Sequence, residues 1–130
     1  MTNPAKLIAP VAMVAGLVCA CSSNSTGPVP ATLEVGFATS ASDDGAVLFT
    51  VSGGPVDSVE APGYRLYTSQ TSPTSMRVVV AGDLQGGIIA RIHIADGSRL
   101  PQYSATIDQV AARGSYVQRD PVSYSLVVTE

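Results

Sequence analysis

The stretch that decides the fold is MRVVVAGDLQGGIIARIHI, residues 76–94. Every second residue is apolar in both halves of it, at 76, 78 and 80 and again at 88, 90, 92 and 94. This period-two alternation is typical of β-strands that bury one face, and it places Ile88 on the inward face and Ile89 on the outward face. The glycine-rich segment 82–86 predicts a hairpin loop that joins the two strands.

The same alternation runs through the rest of the chain, with turn residues between the segments. It predicts further strands over residues 32–37, 46–52, 56–60, 64–69, 103–111 and 124–129. No segment shows a clear helical period, and the nearest, 107–112, has room for one turn. Seven main strands, or up to nine with the short ones, predict an all-β fold, which is a single antiparallel β-sandwich over residues 32–130.

Two resemblances support this fold. Tyr103 opens the second-last strand on the same face as Ala105 and Ile107. It resembles the tyrosine corner of immunoglobulin-like sandwiches, which implies a hydroxyl bonded to upstream backbone; a plain core tyrosine is the alternative. Residues 78–90 resemble the late strands of cohesin-like bacterial sandwich modules, a resemblance that carries no binding site. The fold expected is therefore an immunoglobulin-like β-sandwich.

The N-terminus carries a targeting pattern. One charge at Lys6 precedes a short apolar run over residues 7–18, and the run ends in Val18-Cys19-Ala20-Cys21. These regions are typical of a secretory signal, and the last four residues resemble a bacterial lipoprotein box. The resemblance implies that residues 1–20 are removed, that Cys21 is acylated and that residues 21–31 form a flexible tether. Simple secretion and an uncleaved anchor are the alternatives.

The address that follows is the cell envelope. By resemblance to lipoprotein sorting in double-membrane bacteria, Ser22 after the cysteine favours the outer membrane, with the periplasmic and surface sides both open. Membrane contact is expected through the lipid on Cys21. The formal net charge of −3 and the lack of any basic run exclude nucleic acid as an expected partner.

The chemistry expected of the domain is limited. Both cysteines, Cys19 and Cys21, belong to the targeting region, so no disulfide or thiolate is expected in the domain. His93 is the single histidine, and no serine lies in a nucleophile-elbow pattern. We expect no enzyme, cofactor or metal site; a small hydrolase that uses His93 is a remote alternative. Asp43-Asp44-Gly45 suits a tight turn, with a weak calcium site as its alternative.

The sequence favours a non-enzymatic module that acts by binding or as a structural envelope component. An immunoglobulin-like strand order would bring the loops 53–62, 82–86 and 113–121 to one end of the domain, which we expect to be monomeric. In the last loop, Tyr116, Arg119 and Asp120 form a mix typical of contacts with an envelope protein. Tyr67 and Tyr116 are the tyrosines expected to be exposed. A glycan-binding module is therefore the alternative function.

Overall fold

A computed structural model describes residues 27–130, so the predicted signal, the predicted lipidation site Cys21 and the first part of the tether lie outside the described residues. The described part contains nine strands and two 3-10 helices. The strands are β1 (Ala31–Ala38), β2 (Asp44–Ser52), β3 (Ser58–Glu60), β4 (Arg65–Ser72), β5 (Ser75–Ala81), β6 (Gly87–Ile94), β7 (Ser104–Ala112), β8 (Gln118–Arg119) and β9 (Ser125–Thr129). The 3-10 helices span Gly97–Gln102 and Pro121–Ser123.

The strands form two antiparallel sheets. Sheet A has the order β3-β6-β1-β9, and sheet B has the order β4-β5-β2-β7-β8. The prediction of an all-β sandwich is confirmed. The segment 107–112, the nearest to a helical period, is strand within β7.

The core fills the space between the two sheets. The alternating residues predicted to face inward do so, because the burial of their apolar side chains is the main favourable term in folding. Fully buried members come from β1, β2, β5, β6 and β7, namely Val35, Val47, Phe49, Val78, Val80, Ile92 and Val110. Each contributes about 1.5–3 kcal/mol relative to an exposed position.

The segment 82–86 is not a hairpin loop, so that prediction was wrong. β5 pairs with β2 and β4 in sheet B, whereas β6 pairs with β1 and β3 in sheet A. The segment therefore crosses from one sheet to the other. Leu84 supplies the physical reason, because its side chain is fully buried and its backbone N–H donates to the carbonyl of Asp44 at 3.1 Å.

Ile88 and Ile89 have exchanged their predicted faces. Ile89 is fully buried, and Ile88 is 48% exposed. The cause is an extra residue in β6, because Val35 pairs with Ala90 but Gly36 pairs with Ile88. Such a β-bulge shifts the alternation by one residue, so every side chain beyond it changes face.

The two ends of the sandwich carry different loops. At one end, the proximal end, the N–H of Gly97 donates to the Val29 carbonyl at 2.7 Å, and the N–H of Asp57 donates to the His93 carbonyl at 2.8 Å. The tail 27–31 and the segment 53–57 are therefore at the same end. At the other, the distal end, β2 begins, and the segments 39–45, 82–86 and 113–117 are joined by backbone hydrogen bonds. Loop 53–62 was predicted to lie at the same end as loops 82–86 and 113–121. This prediction was wrong for residues 53–57, which follow the last residue of β2 and therefore lie at the proximal end.

Tyr103 forms the expected bond to upstream backbone. Its hydroxyl donates to the Pro55 carbonyl at 2.6 Å, and the residue is 9% exposed. The acceptor lies in the distant loop after β2. Tyr103 thereby ties the start of β7 to the end of β2 at the proximal end.

Alkaline pH is expected to destabilise the fold. Desolvation raises the pKa of Tyr103 and of Tyr124. The unfolded phenols ionise near pH 10, while the folded ones keep their protons to higher pH. Their contribution to stability is therefore fully present below about pH 10 and is lost as pH rises through the folded pKa values.

Chemical unfolding at a series of pH values from about 8 to 11 measures this loss. The double variant Tyr103→Phe/Tyr124→Phe should show a flatter alkaline decline than the parent. Tyr67→Phe, on the surface, is the matched control. Equal slopes in the parent and the double variant would refute the assignment.

Candidate functional site

The outer face of sheet A is polar over the half that carries Glu34, Arg91 and His93. Its other half exposes Ile88 and Val127, at 48% and 55%, on either side of Gly36. Arg91 pairs with Glu34 at 3.5 Å across β6 and β1. His93 lies between Thr32 and Glu60, with 3.0 Å from Nδ1 to the threonine hydroxyl and 3.0 Å from Nε2 to the carboxylate. These contacts satisfy the polar groups of the sheet with one another.

The outer face of sheet B presents apolar side chains on its central strands β2 and β5. We call this surface the B face and define it by Leu48, Arg65, Tyr67, Arg77, Val79 and Gln109. Leu48 of β2 pairs with Val79 of β5, and both are partly exposed. Three alanines, Ala46, Ala81 and Ala111, continue the apolar surface toward the distal end. Contiguous apolar side chains on the solvent side of a sheet are a feature of interaction sites.

Strand pairing sets the order of groups across the B face. Tyr67 pairs with Val79, Val79 with Leu48, and Leu48 with Gln109. Residues that pair directly point to the same side of a sheet. One row therefore runs from an exposed tyrosine through two aliphatic side chains to an exposed amide, across about 14 Å for three strand spacings.

Both tyrosines predicted to be exposed are exposed; Tyr67 belongs to the B face and Tyr116 borders it. Tyr67 is 59% exposed and Tyr116 is 79% exposed. Tyr116 lines a depression of about 210 Å³ together with Leu48, Val79 and Gln109. It also lines a neighbouring depression of about 390 Å³ together with Arg65. Tyr116 thus overhangs the distal part of the surface on which Tyr67 stands.

The backbone at Tyr116 is strained. Its φ is 58°, and it is the one non-glycine residue with positive φ in the described part of the chain. The loop is closed by bonds from the Ala112 N–H to the Val117 carbonyl and from the Tyr116 N–H to the Ala112 carbonyl, at 2.8 and 3.0 Å. A left-handed residue other than glycine costs about 1–2 kcal/mol. Strained residues cluster at binding and active sites, so the strain at the exposed Tyr116 favours a binding role for this side chain.

Tyr116→Asn is expected to raise the free energy of unfolding by a few tenths to about 1 kcal/mol, since asparagine tolerates the left-handed conformation. Thermal and denaturant unfolding measure the change. Tyr67→Asn is the matched control, and there the same substitution should destabilise by up to about 1 kcal/mol because asparagine is unfavourable in a strand. Destabilisation by Tyr116→Asn would mean that Tyr116 is held for packing.

Arg119 and Asp120, the other predicted contact residues of this loop, use their side chains within the domain. One Arg119 nitrogen donates to both carboxylate oxygens of Asp43 at 2.7 Å. The Tyr124 hydroxyl and the Asp43 carboxylate beside it raise the pKa of Arg119. Asp120 accepts from the N–H of Val122 at 3.0 Å and caps the second 3-10 helix. Of the three residues, Tyr116 is the one whose side chain is free to meet a ligand.

The Asp43-Asp44 pair is occupied by protein groups. Asp44 is fully buried, and it accepts from Thr39 at 2.6 Å and from Tyr124 at 2.8 Å. Arg119 reaches it at 3.6 Å and binds the exposed Asp43 as well. Asp83 pairs with Arg113. The pair thus joins the distal loops through hydrogen bonds.

His93 is placed in a chain of acid, imidazole and hydroxyl that has the residue types of a catalytic triad. The chain lies on the open face of sheet A, with the histidine side chain 33% exposed and that of Glu60 58% exposed. Thr32 lies inside β1, whose backbone pairs with β6. A catalytic hydroxyl normally lies on a sharp turn beside oxyanion donors, whereas Thr32 lies within a strand. The hydrolase alternative stays a prediction.

Leu48 and Val79 were missed by the sequence reasoning, which assigned only the inward faces of β2 and β5. A signal for them exists. Residues 46–49 and 78–81 are apolar without interruption, although a sheet with one solvated face should alternate with polar residues. The excess apolar residues on two central strands indicate a second covered or contacting face.

Comparisons with protein-family models, curated proteins and solved structures gave no significant match to this chain. Within residues 27–130, no helix has the length and apolar character needed to cross a membrane. The same residues contain no group of three histidine, cysteine, aspartate or glutamate side chains placed to hold a metal ion. The B face itself offers apolar contact, two tyrosine rings, amide groups and positive charge.

Proposed function

We propose that this protein is a non-enzymatic binding module of the cell envelope, anchored by a lipid on Cys21, and that the B face is its contact surface. The observation that carries the proposal is the apolar surface of Leu48 and Val79 on the solvent side of sheet B, bordered by Tyr67 and Tyr116. Apolar centres with tyrosine at the border are typical of surfaces that bind partners.

The position of the tail supports this arrangement. Residues 27–31 lie at the proximal end, and Tyr116 lies at the distal end. β2, with nine residues, separates the two ends by about 27 Å. A chain attached at Cys21 through a tether of about ten residues, at most about 35 Å long, would hold the proximal end near the bilayer. The distal half of the B face would then point away from the membrane.

Site-specific photocrosslinking in cells tests the contact surface. A photoreactive residue at position 67, on the B face, should give a crosslinked species. The same residue at position 34, on the outer face of sheet A, is the matched control and should give none. Crosslinks at position 34 alone, or at neither position, would contradict the proposal.

A glycan is the second candidate ligand, and one observation favours it. Tyr67 and Tyr116 border the same surface, where Gln109 and Gln118 are exposed. Aromatic rings stack on the apolar faces of sugars, and amides bond to their hydroxyls. Retention on insoluble polysaccharides that is lost in Tyr67→Ala, with unchanged thermal unfolding, would support this ligand.

The anchor has a separate test. Cys21→Ser should leave an unprocessed precursor and prevent acylation, because the thiol is the group that takes the lipid. The intact mass of the chain purified from membranes measures both effects. Lipid labelling of Cys21→Ser at the parent level would overturn the anchor.

A further inference from the structure

The arginines of the domain divide into two groups. Residues 27–130 contain six arginines and every acidic residue of the chain. Four arginines form ion pairs within this part, namely Arg91, Arg99, Arg113 and Arg119. The other two, Arg65 and Arg77, have no acidic partner in the described residues, and both belong to the B face.

Arg65 and Arg77 stand on either side of Tyr67. Arg65 precedes it by two residues on β4, and Arg77 pairs with Ser69, which follows it by two. All of these positions point outward, and both arginines are exposed. Residues 65 and 69 of β4 are about 13 Å apart along the strand. The two arginines are therefore separated by about this distance along the strand direction, and Tyr67 lies between them.

Two acidic groups lie near this surface. Asp108 accepts from the Thr50 hydroxyl at 2.6 Å, and Asp83 pairs with Arg113 at the distal rim. Neither forms an ion pair with Arg65 or Arg77, so both guanidinium groups are open to an anionic ligand.

We propose that the B face binds a polysaccharide that carries carboxylates, such as a chain of uronic acid units. The proposal rests on the binding role assigned to the B face above and names its ligand. Sugar rings would stack on Tyr67 and under Tyr116, while Arg65 and Arg77 bind carboxylates through their planar forks of N–H donors. A chain of sugars fits an extended, shallow surface whose charges lie on both sides of a ring.

The depression that Arg65 and Tyr116 share supports this ligand. Its volume is about 390 Å³, and Gly114 and the paired Asp83 and Arg113 also line it. An added Cβ at Gly114 would meet no atom within 4 Å, so the depression is open there. The depression thus places an aromatic ring and the unpaired Arg65 within one small space.

Binding of the full-length chain in detergent to polygalacturonate tests the proposal. Fully methyl-esterified polygalacturonate is the matched ligand, because it keeps the sugar and loses the charge. We expect the esterified polymer to bind at least about tenfold more weakly, and Arg65→Gln and Arg77→Gln each to weaken binding of the charged polymer about tenfold. Tyr67→Ala should weaken both ligands. Arg91→Gln, on the outer face of sheet A, is the control and should change neither.

Four results would overturn the ligand. Equal binding of the charged and esterified polymers would show that Arg65 and Arg77 do not recognise the carboxylates. Poly-L-glutamate that binds as tightly as polygalacturonate, with no loss in Tyr67→Ala, would reduce the effect to charge alone. Failure of polygalacturonate to bind, together with a protein crosslinked at position 67, would refute the polysaccharide and leave the binding role of the B face intact. If polygalacturonate does not bind and no protein is crosslinked at position 67, both the ligand and the binding role of the B face are refuted.

Discussion

Asp44→Ala is expected to lower the free energy of unfolding by about 3–5 kcal/mol, the usual cost of removing one partner from a buried charged pair. The Asp44 side chain is fully buried at the start of β2. Its two oxygens accept hydrogen bonds from Thr39 and Tyr124, and Arg119 lies 3.6 Å away. The alanine variant leaves these donors without the carboxylate that accepts from them.

The consequence reaches beyond one side chain, because the segment around Asp44 holds two other loops. The Asp44 carbonyl accepts from the N–H of Leu84, and the Asp43 carbonyl accepts from the N–H of Arg113. Tyr124, whose hydroxyl bonds to Asp44, also stacks on Phe37 with ring centroids 5.5 Å apart. Loss of the carboxylate should therefore loosen the distal loops together with the end of sheet A.

Asp43→Ala is the matched control for Asp44→Ala. The two residues are adjacent and both meet Arg119, but the Asp43 side chain is 53% exposed. An exposed ion pair contributes at most about 1 kcal/mol. Denaturant unfolding of both variants gives the comparison, and Asp44→Asn should fall between them because it keeps the volume and loses the charge. Equal losses for both alanine variants would contradict the central place given to the buried carboxylate.

The sandwich and the approximate bounds of its long strands follow from local pattern alone. Val47, Phe49 and Val51 show the alternation that one buried face requires, and the turns between strands are rich in glycine and aspartate. Such signals depend on neighbours in sequence. They could therefore be predicted without knowledge of the partners of any strand.

The errors arose where partners distant in sequence decide the outcome. The bulge that turns Ile89 inward depends on the pairing of β6 with β1, which lies more than 50 residues earlier. The segment 82–86 resembles a hairpin loop in composition, but the buried Leu84 carries the chain to the other sheet. Asp44 was likewise interpreted as a turn residue, because its hydrogen bond to Tyr124, 80 residues later, cannot be predicted from local sequence.

The candidate site shows the same division. The exposure of Tyr67 and Tyr116 could be predicted, because neither falls on an inward-facing position of the pattern. Their arrangement on one surface could not, since it depends on the strand order β4-β5-β2-β7. The freedom of Arg65 and Arg77 also appears only once the ion pairs of the other arginines are known.

Gly53→Ala is expected to lower the free energy of unfolding by about 2–5 kcal/mol, the second large effect in this domain. Gly53 has a φ of +116°, a conformation that L side chains rarely adopt, and an added Cβ would overlap the Gln102 carbonyl and lie 2.8 Å from Tyr103 Cα. Strain of the backbone accounts for about 1–2 kcal/mol. Displacement of Tyr103 would also break its hydroxyl bond to Pro55 and leave the buried phenol without its acceptor, at about 1–3 kcal/mol.

Gly63→Ala separates the two contributions. Gly63 has a φ of +85°, and an added Cβ there meets no atom within 4 Å, so it should cost only the backbone strain of about 1–2 kcal/mol. Thermal unfolding of the two alanine variants and of Tyr103→Phe measures each part. If the contact between loop 53–57 and Tyr103 matters as argued, Gly53→Ala should exceed Gly63→Ala by about the loss in Tyr103→Phe or more. Similar losses at the two glycines would mean that the proximal end tolerates displacement of Tyr103, and that the bond to Pro55 contributes little to holding β7 against β2.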